Sequence, residues 1–462
     1  MIFQNSEIQR YYWQSFSLQR IIAMPVVLLA IVALILLSVK DNPSNVISYY
    51  AGSAYYIIIF LWGGYQAAHA LVQEVKENTW DNQRLSSVSP WDLTIGKLLG
   101  STLYSWYGGL ILLAIYFFST IHNAPLLLVL CNLSVMVGAG LLCHSLALFS
   151  SLIPLRMQAG RDQFHVAGYY ILSLIVSGSF LTMGNSIFTQ HQHHYEHAVK
   201  WFGMSISDEK FFLGCLLLAL FWIFWAIYRF MREALQFKNT PAVWAIFVVF
   251  CMIYFAGFGS QAFLPWQSAH DLPLTFFNNG TLFCAFMVGL ICSYFSFFSE
   301  NLNIIHYRTL FHHWQNHSWK KLVHLVPMWS VSLVLSVLVG LFSLVFSVLT
   351  MDNPEKVIAL IVSGVLFALR DACIFHYFTL SPNGRLPHLA ALFYWGVFYL
   401  LLPNLFFAFG LKFEDAGGVF YPIIQFSAQS SLFKLLPIML ELFVAVVVLK
   451  RRYSIINNKI EK

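Results

Sequence analysis

Charge is what this sequence has least of. Of its 462 residues, 10% are Asp, Glu, Lys or Arg and 59% are hydrophobic, whereas soluble domains carry about 25% charged residues. A chain so poor in charge cannot cover a water-facing surface, so its exterior must largely face lipid. The seven cysteines all lie in apolar runs and form no Cys-x-x-Cys, so they read as packing residues and say nothing of redox compartment. A phosphate-binding loop is missing too. The one Gly-Lys step, Gly96–Lys97, is followed by Leu98, and Trp91 stands where the first glycine of the motif belongs. No small-residue cleavage site follows the first apolar run, which is therefore expected to be an uncleaved anchor. The net charge of +6 does not point to nucleic acid, because the cations form short clusters between apolar runs, as in cytoplasmic loops.

What fills the chain is apolar runs of roughly 20 residues, the length that crosses a bilayer as helix. Twelve are predicted, near 21–39, 48–72, 98–120, 125–152, 164–184, 211–231, 241–260, 275–298, 325–349, 356–379, 387–410 and 431–449. The run at 125–152 has length to spare for a kink or break. The fold class expected is therefore all-α and polytopic. Residues 1–20, where Tyr11, Tyr12, Trp13 and Phe16 interleave with Gln and Arg, suit a helix lying in the membrane interface. With the N-terminus placed in the cytoplasm, nineteen Lys/Arg fall on inner segments and five on outer ones. This bias predicts both termini inside.

The two halves repeat. At an offset of 224 residues Arg84 maps to Arg308, Lys97 to Lys321, Gly160 to Gly384 and Arg161 to Arg385. Six spans per half give both halves the same orientation, related by an axis along the membrane normal. The domains expected are the interfacial helix at 1–20, a first six-helix half at 21–238 with a loop at 73–101, and a second at 239–462 with a loop at 299–325.

The loop 73–101, QEVKENTWDNQRLSSVSPWDLTIGKLLGS, is the long charged inner segment of the first half. Pro90 suits the first turn of a helix capped by Ser89, and Asp92 suits the positive end of that helix. The segment reads as a helix–turn–helix knob offering acids, an arginine and aromatics to a partner. It resembles the coupling loop of ABC-2 type permeases, the membrane subunits of one class of ATP-binding-cassette exporter. The matching positions are Glu74, Glu77, Thr79, Arg84, Ser89, Pro90, Gly96, Lys97 and Gly100, with Trp80 in the same string. The six-span half, the preceding interfacial helix and WFGMSIS at 201–207, read as a short outer re-entrant element, also resemble that family. The resemblance implies a permease half that does no chemistry, and ATP and Mg bound by separate cytoplasmic ATPase subunits, two being expected, in a bacterial inner membrane. Membrane lipid is the other partner. The loop at 299–325 keeps Glu300, Arg308 and Lys321 but lacks the Ser-Pro turn and Gly-Lys step, so its docking knob would have diverged.

Other features compete. His191, His193, His194 and His197 crowd an outer loop; imidazoles so dense can ligate metal, although unconstrained loop histidines more often do nothing. His312, His313, His317 and His324 faintly resemble the histidine boxes of membrane di-iron enzymes, but the two clusters fall on opposite faces. The pair Arg370–Asp371 sits within span ten. There it reads as a pathway or gating charge, a structural pair, or a residue snorkelling to the interface. It is the basis of the rival reading, an ion-gradient secondary transporter; a His-ligated membrane enzyme is the third. The 80 aromatics mostly pack and anchor helices, and suit an amphipathic or lipid-like substrate better than a sugar or ion.

Overall fold

The computed structural model describes residues 5–39, 42–86, 88–156, 166–190, 198–237, 239–262, 279–300, 304–350, 354–380, 387–409 and 435–460. Contacts divide the chain into two units, Met1–Val199 with Ile206–Asn239, and Lys200–Ser205 with Thr240–Lys462. Among the described residues, ten helices are long and apolar enough to cross a membrane, against twelve predicted.

In the first unit α1 (Ser6–Ser15) precedes the spans α2 (Leu18–Ser38) and α3 (Pro43–Lys76). Two short helices, α4 (Trp80–Leu85) and α5 (Pro90–Ile95), lead into α6 (Leu103–Thr120). Then come α7 (Leu126–Arg156), α8 (Val166–Gln190) and α9 (Asp208–Ala234). The run at 125–152, with length to spare for a kink or break, is one continuous helix, α7, and no proline interrupts it before Pro154. The irregular turns fall elsewhere, at Tyr56–Gly63 within α3 and at Gly96–Gly100 after α5, both wound as π-helix. Tyr55, Ile59, Leu112, Met136, Ala139 and Cys143 form the core where α3, α6 and α7 meet.

The second unit holds α10 (Ala242–Ala262), α11 (Asn279–Ser299), α12 (Ile304–Gln315), α13 (Trp319–Val323), α14 (Met328–Thr350) and α15 (Glu355–Thr379). Phe286, Leu290, Leu333, Leu360 and Ile361 are its centre. The last two predicted spans are helical where described. Of these, α16 (Pro387–Ala408) is interrupted by a π turn at Val397–Leu401. The other, α17 (Leu436–Ile460), reaches Lys450 after 14 residues, about 21 Å of helix against a hydrocarbon core of about 30 Å.

WFGMSIS, expected as a short re-entrant element, is extended rather than helical. It belongs to a hairpin of β1 (Ala198–Trp201) and β2 (Met204–Ser207), turned by Phe202 at φ 49° and Gly203 at φ 78°, the left-handed pair a two-residue hairpin turn requires. Its tip docks on α10: Trp201 Nε1 donates to the Tyr254 carbonyl (2.9 Å), and Phe202 N to that of Gly257 (2.9 Å).

Candidate functional site

The segment 73–101 folds as a braced knob. Ser89 caps α5, its Oγ accepting from Asp92 N (3.1 Å) and donating to Asp92 Oδ2 (2.6 Å), with Pro90 in the first turn. The capping expected from the sequence is thus formed. Replacing Ser89 by alanine should destabilise α5 by about 1 kcal/mol, seen as faster amide exchange over 90–95 with the rest of the unit unchanged.

The knob's underside is apolar. Trp80, Leu93 and Leu98 pack with Leu71 of α3, Leu148 and Leu152 of α7, and Ile227 and Met231 of α9. Trp91 meets Phe224 and Tyr228 of α9 edge-on, at 5.3 and 5.5 Å between ring centroids. Above this layer lies a buried ionic network. Glu74 Oε2 accepts from Lys97 Nζ, and Glu74 Oε1 accepts from Arg10 Nη2 (2.6 Å) and Gln83 Nε2 (2.9 Å). Thr79 Oγ1 donates to the Glu74 carbonyl (3.2 Å), and Arg10 also pairs with Glu7 (2.8 Å). Lys97 is fully buried, its ammonium 5.7 Å from the Trp80 ring centre. Burial pushes the Lys97 ammonium below its ordinary value, against the opposing pull of Glu74 and Glu7.

This corrects part of the sequence reading. Glu74, Trp80 and Lys97 are not surface offered to a partner; they are the internal brace of the knob. Nor does α1 merely lie in an interface. Asn5 caps it and donates from Nδ2 to the Asp92 carbonyl (2.7 Å), while Glu7 and Ile8 are buried. The approach explains the two glycines of GKLLG: a Cβ on Gly96 would strike Glu7 and Asn5, and one on Gly100 the Tyr11 ring. The residues the knob exposes include Lys76, Glu77, Asn78, Thr79, Asp81, Asn82, Leu85, Ser86, Ser89, Trp91 and Asp92, with Leu85 86% exposed. Arg84 is half-buried and pairs with Asp81 (3.3 Å).

The counterpart loop in the second unit is built differently. Glu300 is buried and accepts from Met328 N (2.8 Å) at the start of α14, so it caps a helix and is no docking residue. Lys321 is exposed on α13 where Lys97 is buried, and Arg308 lies half-buried on α12. The matched positions Gly160, Arg161, Gly384 and Arg385 lie outside the described residues, as do His191, His193, His194 and His197. Among the described residues no group of three or more His, Cys, Asp or Glu is placed to hold a metal. His312 and His313 lie on α12, and His317 and His324 flank α13.

Arg370 and Asp371 form the second ionic centre. Arg370 is 2% exposed and Asp371 fully buried, so snorkelling is excluded. Asp371 Oδ1 accepts from Arg370 Nε (3.0 Å) and Nη2 (2.8 Å); its Oδ2 accepts from Tyr294 (2.7 Å) and Tyr399 (2.5 Å). Arg370 Nη1 reaches Glu441 Oε2 (2.6 Å). Glu441, Tyr294 and Tyr399 escaped the sequence reading, although Glu441 carried a signal as the one acid in LPIMLELFVAVVVL.

The helices define an all-α, multi-pass membrane protein. Residues 32–207 match the family described as ABC-2 family transporter protein, so this part of the chain is similar to ABC-2 type permeases. The matched stretch contains α3, the knob at 73–101 and the spans α6 to α8, while α1 and α9, which also brace the knob, lie outside it. No curated protein and no solved structure matches the chain.

Proposed function

We propose that this chain is the transmembrane permease subunit of an ATP-binding-cassette exporter, driven by ATPase subunits that dock on the tip of the 73–101 knob. The carrying observation is the contrast within that knob. Its base is locked to α1, α3, α7 and α9 by a buried ionic network and an apolar layer, while Glu77, Asp81 and Leu85 at its tip meet no such packing. A rigid projection with an unpacked acidic and apolar tip transmits a push; a loosely hinged loop would absorb it. ATP-driven closure of the partner then moves the spans that flank the knob. The knob side is cytoplasmic by the Lys/Arg bias, and the membrane is a bacterial inner membrane. Amphipathic or lipid-like molecules are the substrate class.

Glu77→Lys combined with Leu85→Glu should weaken ATPase association at least tenfold in co-purification while leaving the melting temperature unchanged, because both side chains are exposed. Unaltered association would place the docking surface elsewhere. Gradient-driven flux from the wild-type chain without any ATPase would instead support the secondary-transporter reading.

A further inference from the structure

Beside the Arg370 centre lies a cavity of about 420 Å³ between α15, α16 and α17, lined by Cys373, Ile374, Tyr377, Phe378, Tyr394, Phe398, Leu440, Val444, Ala445 and Val448 together with Arg370 and Glu441. The volume is that of a small-molecule site, and the wall has the composition of one: apolar and aromatic, with few polar groups.

The charges on that wall do not cancel. The centre holds one guanidinium and two carboxylates. Asp371 is satisfied by four donors and shut away from the cavity at 0% exposure. Arg370 is spent on Asp371, Glu441 and Tyr399, and sandwiched between the Phe367 and Phe398 rings at 4.6 and 4.7 Å. The excess negative charge therefore falls to Glu441. One of its oxygens is held by Arg370; the other has no hydrogen bond among the described residues, and the side chain is 23% exposed. The guanidinium of Arg452, which does not line the cavity, stacks on Tyr377 at 5.2 Å. It stands eleven residues, about 17 Å of helix, beyond Glu441, too far to neutralise it.

The depth sharpens the point. Asp371 is eight residues from Thr379 at the end of α15, and Glu441 nine from Lys450. Each is thus about 13 Å inside, well within a hydrocarbon core of about 30 Å. A carboxylate that shares its one guanidinium with a second acid is costly there and is retained where it has a further partner to meet. Tyr377, Phe378 and Tyr394 add π faces around it, and a carboxylate beside aromatic faces is a pattern that recognises amines and quaternary ammonium groups.

We propose that this cavity binds an amphipathic monovalent cation, its charge against Glu441 and its apolar body along Phe378, Val444, Ala445 and Val448. The proposal concerns binding alone and stands whether or not an ATPase drives the chain.

The test uses the purified full chain in nanodiscs with no ATPase present. The probes are tetraphenylphosphonium and tetraphenylborate, ions of near-identical shape and opposite charge. Saturable binding of the cation, with the anion at least tenfold weaker, is expected. Glu441→Gln should weaken cation binding at least tenfold. Ala445→Trp, which fills the cavity without touching the charge, should abolish it at unchanged melting temperature, so the test survives if Glu441→Gln fails to fold. Equal binding of both ions, preference for the anion, no cation binding, or cation binding indifferent to either variant would overturn the assignment.

Discussion

Replacing Glu74 by alanine should unfold the first unit's knob, at a cost of about 3–5 kcal/mol, the penalty for leaving a buried charge without its partner. The reason is the geometry around that carboxylate. Lys97 is fully buried, with Glu74 as its ion pair, and Arg10 and Gln83 converge on the other oxygen. Removing the acid strands the ammonium and frees α1 from α3 in one step. Melting temperature and amide exchange over 73–101 would report it. The paired change Glu74→Met with Lys97→Met should recover much of the loss, since an apolar pair of similar volume avoids the desolvation that the ions must overcome. If Glu74→Ala melted like the wild type, Lys97 would have an escape to water that the fold does not show.

Arg370→Met should have an effect of similar size in the second unit. It leaves Asp371, with no exposure to solvent, facing only two tyrosine hydroxyls, and leaves Glu441 without its cation. Two carboxylates then share an apolar site, and a loss of about 3–5 kcal/mol is expected. A variant whose melting temperature is unchanged would show that Arg370 does not hold these acids. Asp371→Asn is expected to be milder, since the amide oxygen still accepts while Glu441 continues to neutralise Arg370.

Much of the fold was legible because the bilayer allows so few solutions. Backbone polar groups in hydrocarbon must be satisfied within the helix, so apolar runs of span length announced helices that the structure contains. Ser89–Pro90–Trp91–Asp92 was legible for a local reason: a cap, a proline in the first turn and an acid at the positive end act within four residues. Length alone left room for a break in the long fourth span, and the structure assigns that run as one continuous helix.

The membrane-spanning character, the capped turn at Ser89 and the resemblance carried by residues 74–100 were determined by the sequence alone, since each depends on composition or on residues adjacent in the chain. Only the tertiary structure decided that Glu74, Trp80 and Lys97 face inward while Leu85 faces out, that Glu300 caps a helix, and that Glu441 joins Arg370 across 71 residues of chain. The physical reason is that a charge in an apolar run is tolerable only with a partner. A one-dimensional pattern reveals the need for that partner, and packing selects which residue meets it.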